Sequence, residues 1–181
     1  VRQVILLRGV NLGPRNRVAM PPLRQLLSDA GFEVVRTYMQ SGNAVLSCEL
    51  DAAALAQRCR ELIAERFGLD IAVLARTRDE LAQVVARDPL SEVASDHKRY
   101  QVSFLASELD ERTLQELSEL VAPPERFVAI GRELYAWHPH GVARSKLWAR
   151  LASARLGVAA TARNWTTVSA LLALADEHPG D

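Results

Sequence analysis

Cysteine, lysine and long apolar runs are scarce in this chain. Its 181 residues include 2 Cys and 2 Lys, against 20 Arg and 22 acidic groups, for a formal net charge of zero. Cys48 and Cys59 have neither C-x-x-C spacing nor a neighbouring His, so they read as inert buried thiols rather than a redox or metal pair. The apolar runs 4–7 and 170–175 are too short for a signal segment or a membrane span, and the protein reads as soluble and cytoplasmic. Zero net charge removes any general attraction to polyanions or membranes, so electrostatic recognition would have to be local.

Familiar chemical signatures are missing as well. Gly9-x-x-x-Gly13 fits neither the P-loop nor the dinucleotide fingerprint, and no cofactor is expected. His138 and His140 flank Pro139 with no third ligand clustered nearby, which argues against a metal. Ser145 and Lys146 are adjacent rather than in S-x-x-K, and no His or carboxylate is placed by sequence to activate the hydroxyl, so Ser145 reads as a helix cap. The strands expected at 4–10 and 44–49 contain no aromatic residue, unlike an RNA-recognition sheet.

The chain is nevertheless 49% hydrophobic, enough for one medium domain or two small ones with a packed core. Residues 3–10 read as a strand, followed by the loop Asn11 to Arg17. After Pro21 and Pro22, Leu23, Leu26, Leu27 and Ala30 recur at helical spacing until Gly31. Two β-prone runs, 34–40 and 44–49, join through Ser41, Gly42 and Asn43 as a hairpin. Asp51 caps a second helix that Gly68 ends before a strand at 70–75. The order βαββαβ is that of an α/β plait, the ferredoxin-like arrangement.

The second half echoes the first. Thr77 and Glu80 form a capping box for a helix running to Pro89. Then come a strand at 100–106, a helix at 110–121, a hairpin of 127–130 with 133–137 turning at Gly131, and a helix at 145–156. Only 158–161 offers a final strand before a terminal helix carrying Val168, Leu171, Leu172 and Ala175 on one face. The expectation is an α+β protein of two plait halves packed together, 1–80 and 81–181, with a C-terminal helix. Because 4–7 and 71–74 are apolar on both faces, the second face of the sheet needs a cover, either the other half or a homodimer partner.

Positive charge is concentrated in 1–45 and 132–165. A helix N-terminus carries about half a positive charge and normally attracts Asp or Glu. Three helices break this rule: Arg15 and Arg17 precede the first, Arg144 and Lys146 flank Ser145, and Arg163 stands just before Asn164 and Trp165. A bound anion would relieve that arrangement. In a plait the loop after strand one and the tip of the second-to-third-strand hairpin emerge at the same end. Arg8, Asn11, Arg15 and Arg17 should then lie near Gln40, Ser41 and Asn43, around Gly9, Gly13 and Gly42, where a ligand could approach the backbone. The plainer alternative is that Gln40, Ser41 and Asn43 satisfy turn backbone, and that Trp165 packs in a core.

Four stretches, Leu6-Leu-Arg-Gly-Val-Asn-Leu-Gly13, Thr37-Tyr-Met-Gln-Ser-Gly-Asn43, Arg144-Ser-Lys-Leu147 and Thr161-Ala-Arg-Asn-Trp-Thr-Thr-Val168, resemble the signature stretches of a bacterial domain-of-unknown-function family, DUF1697. The resemblance runs in order over nearly the whole chain. It implies a two-part α+β protein of plait-like halves, and it carries no activity. Its motif positions include Arg8, Asn11, Gln40, Ser41, Asn43, Ser145, Lys146, Arg163, Asn164 and Trp165, largely those reached from charge and topology. Residues 137–140 are atypical of that family, a further argument against a metal.

The leading expectation is a protein that binds an anionic ligand in an Arg-lined cleft: a nucleotide, a phosphorylated metabolite or a short single-stranded nucleic acid. The alternatives are an enzyme of small-molecule or phosphoryl chemistry at the same place, and motif residues with a purely structural role.

Overall fold

The computed structural model describes residues 1–177. The chain divides into two units, Val1–Gln83 with the chain from Ala170 on, and Val84–Ser169. The boundary at Ala170 falls inside the last helix, Trp165–Asp176. The ion pair of Arg78 with Asp176, 2.6 Å, ties the end of that helix to the first unit.

In the first unit, β1 (Arg2–Leu7), β2 (Glu33–Tyr38), β3 (Asn43–Ser47) and β4 (Val73–Thr77) form an antiparallel sheet in the order β2-β3-β1-β4. The apolar run of β1 makes it the central strand, paired with β3 and β4. Ile5, Leu7, Ala44, Leu46 and Ala75 pack with Leu23 and Leu27 of α1 (Met20–Asp29) and with Leu55, Cys59, Leu62 and Ile63 of α2 (Ala52–Phe67). The opposite face is shielded too, since Val4, Leu6, Val45 and Leu74 are buried. Asp51 caps α2 by accepting from the Ala54 N–H at 2.8 Å. Burial pushes the Cys59 thiol up to about 12, consistent with an inert core cysteine, while Cys48 is only half-buried.

The second unit repeats the topology. The strands β5 (Tyr100–Leu105), β6 (Arg126–Ile130), β7 (Glu133–Trp137) and β8 (Ala160–Asn164) are ordered β6-β7-β5-β8. Leu117 of α4 (Glu111–Leu120) and Leu147 and Leu151 of α5 (Lys146–Leu151) share a core with Leu105, Leu134 and Ala136. Both sheets have the ferredoxin-like strand order, so the expected two-plait α+β architecture is the one observed. Helices α3 (Arg78–Arg87) and α6 (Trp165–Asp176) follow β4 and β8 without an intervening loop. No helix among the described residues is long and apolar enough to cross a membrane.

Several boundaries differ from the sequence reading, the strand read at 3–10 for one ending at Leu7. The helix expected at 145–156 stops at Leu151, because the Ser153 hydroxyl takes the Arg150 carbonyl at 2.8 Å and accepts from the Arg155 N–H, drawing the chain into a turn. The last strand is 160–164 rather than 158–161, since its pairing with β5 runs from Leu105↔Ala160 to Gln101↔Asn164. Likewise β4 extends to Thr77, which ends the strand and opens the next helix through the expected capping box. There the Glu80 N–H bonds to Thr77 Oγ1 at 3.1 Å, and the Thr77 N–H bonds to the Glu80 carboxylate at 2.9 Å.

Candidate functional site

In the first unit the loop after β1 and the β2–β3 hairpin tip meet at one end of the sheet, as the topology required. The Leu7 N–H donates to the Gly42 carbonyl at 2.8 Å, carrying the ladder one residue beyond the start of β3. Asn11 then joins the two loops. Its Nδ2 donates to the Val18 carbonyl at 2.7 Å and to the Gln40 carbonyl at 2.6 Å, and its Oδ1 accepts from the Val18 N–H at 3.0 Å. Asn11 sits at φ 59°, a left-handed conformation that asparagine tolerates better than most residues. Replacing Asn11 by Ala removes three hydrogen bonds and leaves a Cβ in an unfavourable backbone region. Stability is expected to fall by about 2 kcal/mol in chemical denaturation, with each bond contributing about 1 kcal/mol or less at a half-exposed position.

The other motif residues here divide by role. The Asn43 amide is buried and donates to the Tyr38 carbonyl at 3.1 Å and to Ser41 Oγ at 2.9 Å, so both side chains build the turn. Arg8 is half-buried, with its backbone N–H on the Ala72 carbonyl. Arg15, Arg17 and Gln40 are exposed, and their side chains make no hydrogen bond or ion pair among the described residues. Helix α1 follows with no acidic residue in its first turn and no side-chain cap. Pro21 and Pro22 deprive that turn of two N–H donors, so any anion there would rest on guanidinium groups more than on peptide dipoles. Gly42 is not a place for a ligand to approach the backbone, because Leu7 and Val10 already fill the space a Cβ would take. Around Gly9 and Gly13 that space is open.

In the second unit Arg144 and Lys146 are exposed on either side of Ser145, which caps α5 by accepting from the Trp148 N–H at 3.0 Å. The structure adds two neighbours that sequence reasoning missed. Glu125 Oε2 lies 2.6 Å from Ser145 Oγ and 2.6 Å from His138 Nδ1, and the Glu125 carboxylate also accepts from the Ala122 N–H. His138 is fully buried, edge-on to the Trp148 ring. Burial pushes the Glu125 carboxyl up, but the hydrogen bonds from Ser145, His138 and Ala122 outweigh it and leave the group below the ordinary glutamate value. The order of the three groups matters for chemistry. In a serine nucleophile relay the imidazole stands between hydroxyl and carboxylate. Here the carboxylate is central, Ser145 Oγ is 3.4 Å from His138 Nδ1, and His138 Nε2 meets no polar partner among the described residues. The cluster is built to fix the α5 cap and bury a histidine. No sequence spacing marks it, since 13 residues separate Glu125 from His138 and 20 separate it from Ser145.

Arg163 stands just before the Asn164 cap of α6, where the sequence placed it, but it lies within β8 and is buried instead of open to an anion. It is 7% exposed and donates from Nη1 to Thr161 Oγ1 at 2.7 Å and to the Ala162 carbonyl at 2.9 Å. Burial brings its pKa down to about 10. Asn164 caps α6, its Oδ1 accepting from the Thr167 N–H at 2.9 Å. Trp165 is buried and stacks on Tyr100, with ring centroids 4.6 Å apart at 10°. The first unit has the same device. Arg76 of β4 is buried and donates to the Ala75 carbonyl at 2.9 Å, and it pairs with Val4 as Arg163 pairs with Val102, each opposite the third residue of a central strand. Ala75-Arg76-Thr77 and Ala162-Arg163-Asn164 are thus one repeated element, a buried strand arginine followed by a helix cap. The shared Ala-Arg-cap tripeptide was a readable signal that charge counting passed over. Among the described residues no group of three or more His, Cys, Asp or Glu is placed to hold a metal ion.

The conserved bacterial protein SP0830 from Streptococcus pneumoniae has the same fold, with a TM-score of 0.78 over 97% of this chain and 98% of its own at 21% identity. No curated protein matches the chain. The model of a family described as "Protein of unknown function (DUF1697)" matches residues 1–135, and with both plaits in place the chain belongs to that family.

Proposed function

We propose that the protein binds an anionic ligand at the loop end of its first sheet, with Arg15 and Arg17 as the charged contacts. The observation that carries this reading is the pair of exposed guanidinium groups without a carboxylate partner, on a loop that Asn11 ties to the hairpin tip. Arginine suits such a role because its planar fork meets phosphate or carboxylate oxygens in pairs. Gln40 is exposed on the adjoining turn and adds an amide within the same patch. The ligand class is a nucleotide, a phosphorylated metabolite or a short single-stranded nucleic acid. For Asn43, Ser145, Arg163, Asn164 and Trp165 a structural role is the better reading, since each is occupied by backbone, cap or core contacts.

A thermal-shift panel of nucleotides, sugar phosphates and inorganic tripolyphosphate tests the proposal. A binding anion at a hundred times its Kd should stabilise the fold by about 2.7 kcal/mol. That stabilisation should vanish in the Arg15→Ala/Arg17→Ala double variant and persist in Arg144→Ala/Lys146→Ala. A shift that survives loss of both Arg15 and Arg17 would defeat it.

A further inference from the structure

The same two loops expose apolar surface as well as charge. Leu12 is 84% exposed and Met39 64%, and these are two of the four exposed large hydrophobics among the described residues. Each is one residue away from the Asn11–Gln40 hydrogen bond, so that bond holds the two apolar side chains at the same sheet end as Arg15 and Arg17. Met39 also sits at φ 57°. A left-handed methionine is a true backbone outlier, because its Cβ crowds the following carbonyl and no side-chain amide compensates as it can for Asn11 and Asn16 nearby. The tip thus holds a flexible thioether out in water at a left-handed backbone position.

We infer that the anion is single-stranded nucleic acid, held over two nucleotides with Arg15 and Arg17 on successive phosphates and Leu12 and Met39 under the bases. This rests on the anion-binding reading above. Two cations and two apolar side chains match the repeat of a nucleotide strand, one phosphate and one apolar face per unit. A free phosphate or a sugar phosphate would use the arginines and leave the apolar pair idle. Arginine also stacks on an unpaired base, and exposed loops leave both edges of the strand open to water, as sequence-tolerant binding requires. Duplex DNA fits poorly, because its bases are stacked away from a surface patch of this kind. The neutral net charge means that affinity comes from this patch alone, so the salt dependence should be shallow.

Fluorescence anisotropy of a labelled hexathymidylate, with inorganic tripolyphosphate and a hexaglutamate peptide as competitors, decides the matter. With two phosphates neutralised, log K should fall with log salt at a slope of about −1.4, about a sevenfold loss between 50 and 200 mM. Arg15→Ala/Arg17→Ala should abolish the signal. Leu12→Ser/Met39→Ser should weaken oligonucleotide binding about tenfold or more at an unchanged salt slope, while tripolyphosphate binding stays as it was. If the apolar variants leave oligonucleotide affinity unchanged while tripolyphosphate still binds through the arginines, the nucleic-acid inference fails and the anion reading stands. Tighter binding of hexaglutamate than of hexathymidylate would likewise overturn it in favour of an acidic protein segment. If neither oligonucleotide nor tripolyphosphate binds, both readings fall.

Discussion

Gly42→Ala is expected to cost about 3 kcal/mol of stability. A Cβ there would stand 2.7 Å from Leu7 Cβ and 2.7 Å from Val10 Cγ2, and the backbone is at φ 84°. Neither neighbour can yield easily. Leu7 is locked in the central strand by pairing with Val73, and both Leu7 and Val10 are buried in the first core. Overpacking a filled site costs about 1–3 kcal/mol, and placing a side chain in the left-handed region adds about 1 kcal/mol. Gly9→Ala is the internal control. Its φ of 67° is comparable, but nothing lies within 4 Å of the added Cβ, so only the backbone cost of about 1 kcal/mol should appear. Urea denaturation of both variants reads the difference. Equal losses would mean that the hairpin tip can move away from Val10.

Loss of the Glu125 carboxylate should be at least as damaging. Glu125→Ala leaves His138 Nδ1 and the Ser145 hydroxyl without their acceptor at a site where His138 has no access to water. Removing one member of a buried polar pair typically costs about 3–5 kcal/mol, and the low end applies here because Ser145 is only partly buried. The pH dependence has a definite sign. The folded-state pKa is depressed, so the carboxylate's contribution is fully present above the unfolded value of about 4.3 and is lost as pH falls through the lower folded value. The stability gap between the native protein and Glu125→Gln should therefore be flat above about pH 5 and shrink steadily in more acidic solution. A gap that widened on acidification would refute the assignment of the hydrogen bonds to the ionised carboxylate.

Much of the fold is legible in the amino-acid sequence, for reasons that are local. The alternation of apolar runs with capped helices, the Asp51 cap, the Thr77–Glu80 box and the Gly42 turn are each decided within a few residues. The meeting of the first loop with the hairpin tip was legible as well, because it follows from strand order alone. The reading failed where a residue's role depends on distant partners. Arg163 read as a cation at a helix start because polar strand residues there carry no periodic signal, and only its pairing with Val102 places it inside a sheet. The meeting of Glu125 with His138 and Ser145 was missed for the same reason, since the pairing of β6 with β7 brings together residues that no motif spacing links. Arg15 and Arg17 were picked out by charge, and the structure adds that they are exposed on the loop that also exposes Leu12 and is bonded to the turn that exposes Met39, something composition cannot show.

The direct passage from β4 into α3 and from β8 into α6 leaves those junctions no slack. A strand alternates its faces at every residue, and a helix turns by about 100° per residue. One residue inserted after Arg76 or Arg163 would hand the capping hydroxyl or amide to the wrong side and swing every apolar contact of the following helix through that angle. Length variation among relatives should therefore fall in stretches such as 12–16, and a chain whose alignment demands a gap inside either Ala-Arg-cap tripeptide should be realigned before its arginine is assigned a role.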